Sequence, residues 1–359
     1  MSDLTKARRD HTERSVRWGF VWALWCAVLW GAWYVPGTAI WYEAPFNAIA
    51  DTTRDFLMAA AVITALNAIA VLLAMYVWVA VLGKMREYGR TIRQMRKVSK
   101  WFFAGAVFGG PMAIFGSFLA IGYVGGVFAA VAALLYPIVG AGLARVWYAE
   151  KITTRAALGI LVIVGGGLVV YAPGILAEMT GTGTGSWLGY VGGIMAATGW
   201  GIEGAFAGRA LDVVDPDVGL TIRFTAEVLY WVVLILPVTA ILTGGDAITM
   251  LVDALHFTNL VWLLLAGLTF GFCYVSWYKS FPLIGVGRGQ AIADFYGVFA
   301  IIFLGIFTLT MPDLNFLIGG LIVIAGGVIM YTERRDVLEV IRSVSHLGGS
   351  SENSDTAGS

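Results

Sequence analysis

The stretch GGIMAATGWGIEGAFAGR, residues 192–209, sets one carboxylate, Glu203, inside an otherwise apolar run that starts at Trp187. A run that long and that apolar reads as a membrane span. An ionisable group near its middle costs at least ~2.5–3.5 kcal/mol on insertion scales. Such groups face a bundle interior or a wet cavity, and they mark a pathway for substrate, ion or proton. Trp200 lies three residues before Glu203, on the same helical face. An aromatic plane beside a buried carboxylate is a seat for a small organic cation. The competing reading makes Glu203 a structural acid, neutral or hydrogen-bonded between helices.

Composition widens that reading to the whole chain. Only 13% of the 359 residues are charged and 59% are hydrophobic, with a mean hydropathy of +0.81. Soluble domains carry about 25% charged residues, so the expectation is an all-α integral membrane protein. The formal net charge is +0, which points to no nucleic-acid partner. Cys26 and Cys273 both fall in apolar runs and read as small core residues rather than a disulfide or a metal site. His11, His256 and His346 fall in tails or loops, so no histidine metal centre is expected. The sequence has no P-loop, no HExxH and no cysteine cluster. GTGTGSW at 181–187 has no βαβ unit around it. The chain therefore reads as a non-enzyme without a cofactor.

About 20 apolar residues cross a bilayer as a helix. Ten stretches qualify: 18–41, 56–82, 101–124, 126–148, 156–175, 187–208, 222–243, 258–278, 287–310 and 314–332. No cleavable signal peptide is apparent; the first stretch is long enough to span, and Arg8, Arg9, Arg14 and Arg17 hold the preceding tail, 1–17, in the cytoplasm. With that orientation, every basic residue but Arg54 falls in a cytoplasmic segment, Arg209 and Arg223 included. External loops carry Glu43, Asp51, Glu178, Asp246, Asp253 and Asp313. The expected location is the cytoplasmic membrane, multi-pass, with both ends inside. The basic loop 84–100 anchors topology and meets anionic lipid. The Ser/Gly-rich tail within 333–359 reads as disordered.

The chain also resembles itself. LWGAW at 29–33 matches GWGIE at 199–203, so that Trp30 and Gly31 fall on Trp200 and Gly201, and Gly19 falls on Gly189. VGGVFAAVAALLYP at 124–137 aligns with VGRGQAIADFYGVF at 286–299, and GILVIVGGGLVVY at 159–171 with GGLIVIAGGVIMY at 319–331. Residues 18–175 and 187–332 are thus read as two copies of a five-helix unit. Five is odd, so the copies face opposite ways. Such inverted repeats belong to transporters, with the substrate site near the midplane between the halves.

The Trp-Gly pair in the first helix of each half carries a family likeness. So does LLYPIVGAGLARVWYAEKITTRAALGILVIVGGG at 134–167, with Pro137, Glu150, Gly159 and Gly165 to Gly167. The chain resembles the drug/metabolite transporter superfamily, with two EamA-like repeats over roughly residues 18–332. The second copy departs from the pattern: it has Met311-Pro312-Asp313 where the first has an acidic helix end, and no proline matches Pro137. The resemblance implies transport of a metabolite, amino acid, drug or sugar derivative, and leaves the substrate open.

Differences between the copies place the chemistry. Glu203 falls on Trp33 and, in the 124–137 alignment, Asp294 falls on Ala132. Both midplane acids therefore lie in the second half. Gly287, Gln290, Asp294 and Gly297 share one helical face, as a cavity wall would. Trp25, Trp30, Trp33 and Tyr34 crowd the first span opposite Trp200. The expected substrate site is Trp30, Trp33, Tyr34, Trp200, Glu203, Gln290 and Asp294, with Glu203 or Asp294 able to exchange a proton. Glu227 reads as a structural partner of Arg223, one helical turn away. The function expected is alternating-access transport of a small organic cation or zwitterion by a monomer or homodimer in lipid. The alternatives are export of neutral metabolites or sugar derivatives and, in another class, a non-transporting receptor or assembly subunit.

Overall fold

The computed structural model describes residues 3–49, 52–148, 154–182 and 186–331. The tail 333–359, Asp51, Glu150, Lys151 and the middle of the 181–187 loop lie outside these residues. All regular structure among the described residues is helical. In chain order the helices are α1 (Asp3–Ala39), α2 (Thr53–Val81), α3 (Met85–Gln94), α4 (Arg96–Val107), α5 (Phe115–Tyr123), α6 (Gly126–Ala133), α7 (Tyr136–Tyr148) and α8 (Thr154–Met179). They continue with α9 (Trp187–Ala210), α10 (Pro216–Tyr230), α11 (Leu236–Thr243), α12 (Ala247–Asp253), α13 (Phe257–Ile284), α14 (Val286–Ala293), α15 (Tyr296–Thr308) and α16 (Leu314–Tyr331).

Eight helical stretches are long and apolar enough to cross a membrane: Arg14–Tyr42, Thr53–Val81, Arg96–Tyr123, Gly126–Trp147, Ala157–Met179, Pro216–Thr243, Phe257–Ile284 and Arg288–Thr308. The other two expected spans are helices as well. α9 has 24 residues, but its many glycines, Glu203 and Arg209 dilute its hydropathy. α16 is apolar and 18 residues long.

Several boundaries shift for local reasons. Asp215 accepts hydrogen bonds from the backbone amides of Asp217 (3.0 Å) and Val218 (3.3 Å), and Pro216 follows it. A capping carboxylate with proline at the first helical position starts a helix. α10 therefore begins at Pro216, well before the expected 222. The basic stretch 84–100 is not a plain loop, since it folds into α3 and the start of α4.

Two expected spans are broken midway. α6 and α7 meet at Leu134–Leu135, and α14 and α15 meet at Asp294–Phe295. Each pair opens after a glycine with positive φ, Gly125 (119°) and Gly285 (83°), a backbone region that L side chains disfavour. Tyr136 Oη donates to the Gln290 carbonyl at 2.6 Å, and Tyr296 Oη donates to the Ala130 carbonyl at 2.8 Å. These two bonds exchange under a shift of 160 residues. At that shift Asp294 falls on Leu134, whereas the sequence alignment sets it on Ala132. Apolar helices slide by two residues in an ungapped alignment without penalty; the glycine and tyrosine landmarks do not.

α8 packs against α16. A Cβ on Gly166 would lie 2.8 Å from the Gly319 carbonyl oxygen, and a Cβ on Gly326 would lie 2.8 Å from the Gly159 carbonyl oxygen. Numbers rise along one helix as they fall along the other, so the two run antiparallel. Likewise a Cβ on Gly31 would meet Phe299 Cβ at 2.5 Å, and one on Gly201 would meet Val139 Cβ at 2.6 Å. Small residues let membrane helices approach this closely.

Candidate substrate site

Glu203 is fully buried in α9 and does not stand alone. Arg223 Nε of α10 donates to Glu203 Oε1 at 2.5 Å, and Tyr274 Oη of α13 donates to Glu203 Oε2 at 2.7 Å. Tyr278 Oη adds a 3.3 Å bond to Oε1. Arg223 also pairs through Nη1 with Glu227, one turn along its own helix. Its guanidinium lies 4.2 Å from the Phe224 ring centroid and 4.9 Å from that of Tyr274. Glu203, Arg223 and Glu227 are all 0% exposed. Two carboxylates share one guanidinium, so the triad holds one unit of negative charge in excess when all three are ionised. Glu227 Oε1 has no protein hydrogen-bond partner among the described residues.

Arg223 corrects the sequence reading. Hydropathy alone places it at the edge of a span, in a cytoplasmic segment. The earlier start of α10 carries it two turns into the bundle. The wall behind the triad was equally unforeseen. α4 and α5 are joined by a π-helical segment, Phe108–Ile114, that contains Gly109, Gly110 and Pro111. A Cβ on Gly109 would fall on Glu203 and Arg223, and one on Gly110 would lie 2.5 Å from Glu227. Such π-bulges often occur at functional sites. Here the bulge presents bare backbone to the ions.

An aromatic cluster packs around Trp30 beside the triad. Trp30 stacks on Tyr296 at 4.5 Å and meets Trp200 edge-on at 4.7 Å and Trp277 at 5.7 Å. Trp200 Nε1 donates to Tyr274 Oη at 2.9 Å, which joins the cluster to the triad. Trp33 stacks on Phe270 and donates from Nε1 to Asn67 Oδ1 at 3.1 Å. Tyr34 stacks on Tyr296. Trp30 Nε1 and Trp277 Nε1 are buried donors with no protein acceptor among the described residues. Trp25, expected to share this crowd, is 53% exposed and faces outward.

The structure thus places Trp30, Trp33, Tyr34, Trp200 and Glu203 in one connected cluster, and adds Arg223, Glu227, Tyr274, Tyr278 and Trp277 to it. Gln290 touches it from the side. Its amide sits between α7 and α9, where a Cβ on Gly204 would meet Nε2 and one on Gly140 would lie 2.6 Å from Oε1. Asp294 lies one turn further on, at the break. All seven expected residues are at most 1% exposed. The centre is closed and packed, where the sequence leads one to expect a wet cavity. Cys26 and Cys273 sit side by side, with Sγ atoms 3.6 Å apart as free thiols. No group of three or more metal-ligating side chains occurs among the described residues.

One end of the bundle is tied by charge. Lys84 Nζ bonds Asp215 Oδ2 at 2.8 Å and Asp217 Oδ2 at 2.7 Å, Lys279 Nζ bonds Asp217 Oδ1 at 3.1 Å, and Trp78 Nε1 donates to Asp217 Oδ1 at 3.0 Å. Partial burial of Lys84 disfavours its charge, but the two carboxylates outweigh this and hold its ammonium above the ordinary lysine range. That contribution is complete below the ordinary lysine value and fades only as pH rises through the raised one. The clamp joins α2, α10 and α13, and Lys279 lies 5.1 Å from the Trp22 ring of α1.

No family model matches the chain, and no curated protein does either. Seventeen chains of solved structures match it in shape. One of them, described only as "Crystal structure of protein", superposes with a TM-score of 0.52 at 15% identity, over 87% of this chain and 96% of its own length. At that identity the likeness speaks for the fold alone.

Proposed function

We propose that the chain is a secondary transporter of ten spans, built as two inverted five-helix repeats of the drug/metabolite type, that carries a small zwitterion or organic cation by alternating access. The observation that carries this reading is the buried Glu203–Arg223–Glu227 triad, walled by aromatic rings. Ionised groups are expensive at membrane depth and mark pathways there. The reciprocal bonds of Tyr136 and Tyr296, and the antiparallel glycine contacts of α8 and α16, support the repeat.

The triad also narrows the substrate. An arginine beside two acids offers both signs of charge. A substrate carboxylate replaces Glu203 on the Arg223 guanidinium, which binds carboxylates in a two-pronged geometry. Glu203, released, takes the substrate ammonium, and the Trp200, Tyr274 and Tyr278 faces hold the charged nitrogen. Trp30, Trp33 and Tyr34 close over the apolar part, and Gln290 bonds a polar group. With no substrate the acid and the base satisfy each other, and the centre stays shut. A guanidinium flanked by two carboxyl groups argues against a neutral cargo.

Counterflow in proteoliposomes tests this. The screen covers radiolabelled amino acids, quaternary amines, polyamines and sugars. One zwitterion or cation class should exchange, and Arg223→Gln and Glu203→Gln should each reduce exchange at least tenfold while the protein still purifies as a monodisperse species. Unchanged exchange in Glu203→Gln would remove that residue from the mechanism. The closed centre favours a second reading, a non-transporting receptor or assembly subunit. Absence of exchange for every class would leave that one standing.

A further inference from the structure

The two acids of the triad are not equally served. Glu203 has both oxygens bonded, Oε1 to Arg223 and Tyr278 and Oε2 to Tyr274. Glu227 has one oxygen on the Arg223 guanidinium, and its other, Oε1, is buried without a protein hydrogen-bond partner among the described residues. A buried acceptor left empty keeps the full cost of its desolvation. The sequence reads Glu227 as a structural partner of Arg223, and half of its carboxyl group does that. The other half has no structural task.

The surroundings of Oε1 are bare on one side and aromatic on another. A Cβ on Gly110 of the π-helical segment would lie 2.6 Å from Oε1 and 2.5 Å from Cγ, so the segment meets the acid there with backbone and no side chain. Trp231 follows Glu227 by one turn, with its backbone N–H bonded to the Glu227 carbonyl. Its ring is 0% exposed and packs on Phe115 at 5.8 Å. Four residues apart on a helix is the same face, so an indole adjoins the acid, as in sites that seat organic cations. Charge points the same way. With all three groups ionised, one guanidinium and two carboxylates sum to one negative charge. A zwitterion adds nothing to that sum and leaves a buried charge unanswered, which is costly.

We propose that the substrate is an α-amino acid whose side chain ends in a second basic group, and that Glu227 Oε1 is the acceptor that selects it. The inference rests on the triad being the substrate site, and it narrows the cargo within that reading. The substrate carboxylate takes Arg223 and the α-ammonium takes Glu203. The side-chain cation takes Glu227 Oε1, beside the Trp231 face. Three positive groups then meet three negative ones, and no charge in the site is left over. A molecule without the side-chain amine leaves Glu227 unanswered. A diamine without the carboxylate leaves one positive charge in excess.

Isothermal titration calorimetry of the purified full chain in detergent tests this with probes that differ by one group. L-lysine has all three charges, L-norleucine lacks the side-chain amine, and cadaverine lacks the carboxylate. L-ornithine and L-arginine vary the reach of the second cation. At least one of the three basic amino acids should bind tenfold or more tightly than both norleucine and cadaverine. Glu227→Gln keeps the shape of the side chain and removes its charge, and should bring that ligand down to the level of norleucine. Melting curves confirm that the variant is folded; if it is not, the comparison of probes on the wild type decides alone. Norleucine binding as tightly as the basic amino acids, a preference that survives in folded Glu227→Gln, or no binding by any of the three overturns the proposal. Its failure is distinguishable from that of the transport reading. Selective binding of a basic amino acid beside a failed counterflow screen would sink transport and leave the site in place. Counterflow confined to neutral amino acids or quaternary amines would sink the site assignment and leave transport standing.

Discussion

Gly109 shows how little room the ion triad leaves. The π-helical turn brings its Cα so close that one added methyl would fall on the Glu203 carboxylate and the Arg223 guanidinium. Neither group can retreat, since both are completely buried and held by Tyr274. Gly109→Ala should therefore cost about 1–3 kcal/mol by overpacking, against the small gain that alanine brings to an ordinary helix. Gly89→Ala, on α3 with nothing within 4 Å of the new methyl, should be neutral or slightly stabilising. Melting curves in detergent compare the two, and equal midpoints would mean that the wall behind the triad yields. At this scale the sequence was legible in part. Glu203 stood out because a lone acid in an apolar run is costly. Arg223 did not, because its depth depends on where α10 begins, and that is decided by the Asp215-Pro216 cap rather than by hydropathy. Tyr274 and Tyr278 were invisible for a different reason: tyrosines on an apolar helix carry no sign of which hydroxyl will find a carboxylate.

Among the elements, α8 and α16 pack backbone against backbone. Their contact is made by glycine against carbonyl, at Gly166 with Gly319 and at Gly326 with Gly159. Lipid tails are as apolar as leucine, so burial alone does not hold two such helices together. Close van der Waals packing does. Gly166→Leu or Gly326→Leu should push the helices apart and lower the melting temperature. Gly165→Leu, one residue aside with open space around its would-be methyl, should not. Loss of stability in all three variants would show a general intolerance of bulk rather than a specific seam. The glycine pattern at 159–171 and 319–331 was readable before any coordinates, because each copy repeats it. The breaks inside α6–α7 and α14–α15 were not. Leu134 and Leu135 carry no helix-breaking signal, and Asp294 reads equally well as the interior of a polar helical face. Only the positive φ of Gly125 and Gly285 and the exchanged tyrosine bonds set the register.

Across the whole molecule, the proposed inversion requires α9 to cross the membrane. Eight helical stretches meet the length and hydropathy that spanning requires, and α9 is not one of them. Its glycines give it little hydropathy of its own, and Glu203 and Arg209 subtract from that. Yet its polar load is answered inside the bundle: Glu203 is bonded to Arg223, and α9 packs against α4, α5 and α7. A helix covered on that many sides need not be apolar itself, since its neighbours rather than lipid supply its solvent. We therefore expect α9 to span. With the N-terminus inside, a chain that crosses at α9 returns to the cytoplasm by Asp212, and the Lys84–Asp217–Lys279 clamp then lies on the cytoplasmic side. Alkaline phosphatase, active only when exported, and a fluorescent protein that folds only in the cytoplasm read this directly in a bacterial host. Phosphatase fused after Met179 should be active. Fused after Asp212 it should be inactive, and the fluorescent fusion at the same point should be bright. An active phosphatase at Asp212 would leave α9 on the outer side, make the two halves parallel in their remaining helices, and end the inverted-repeat reading.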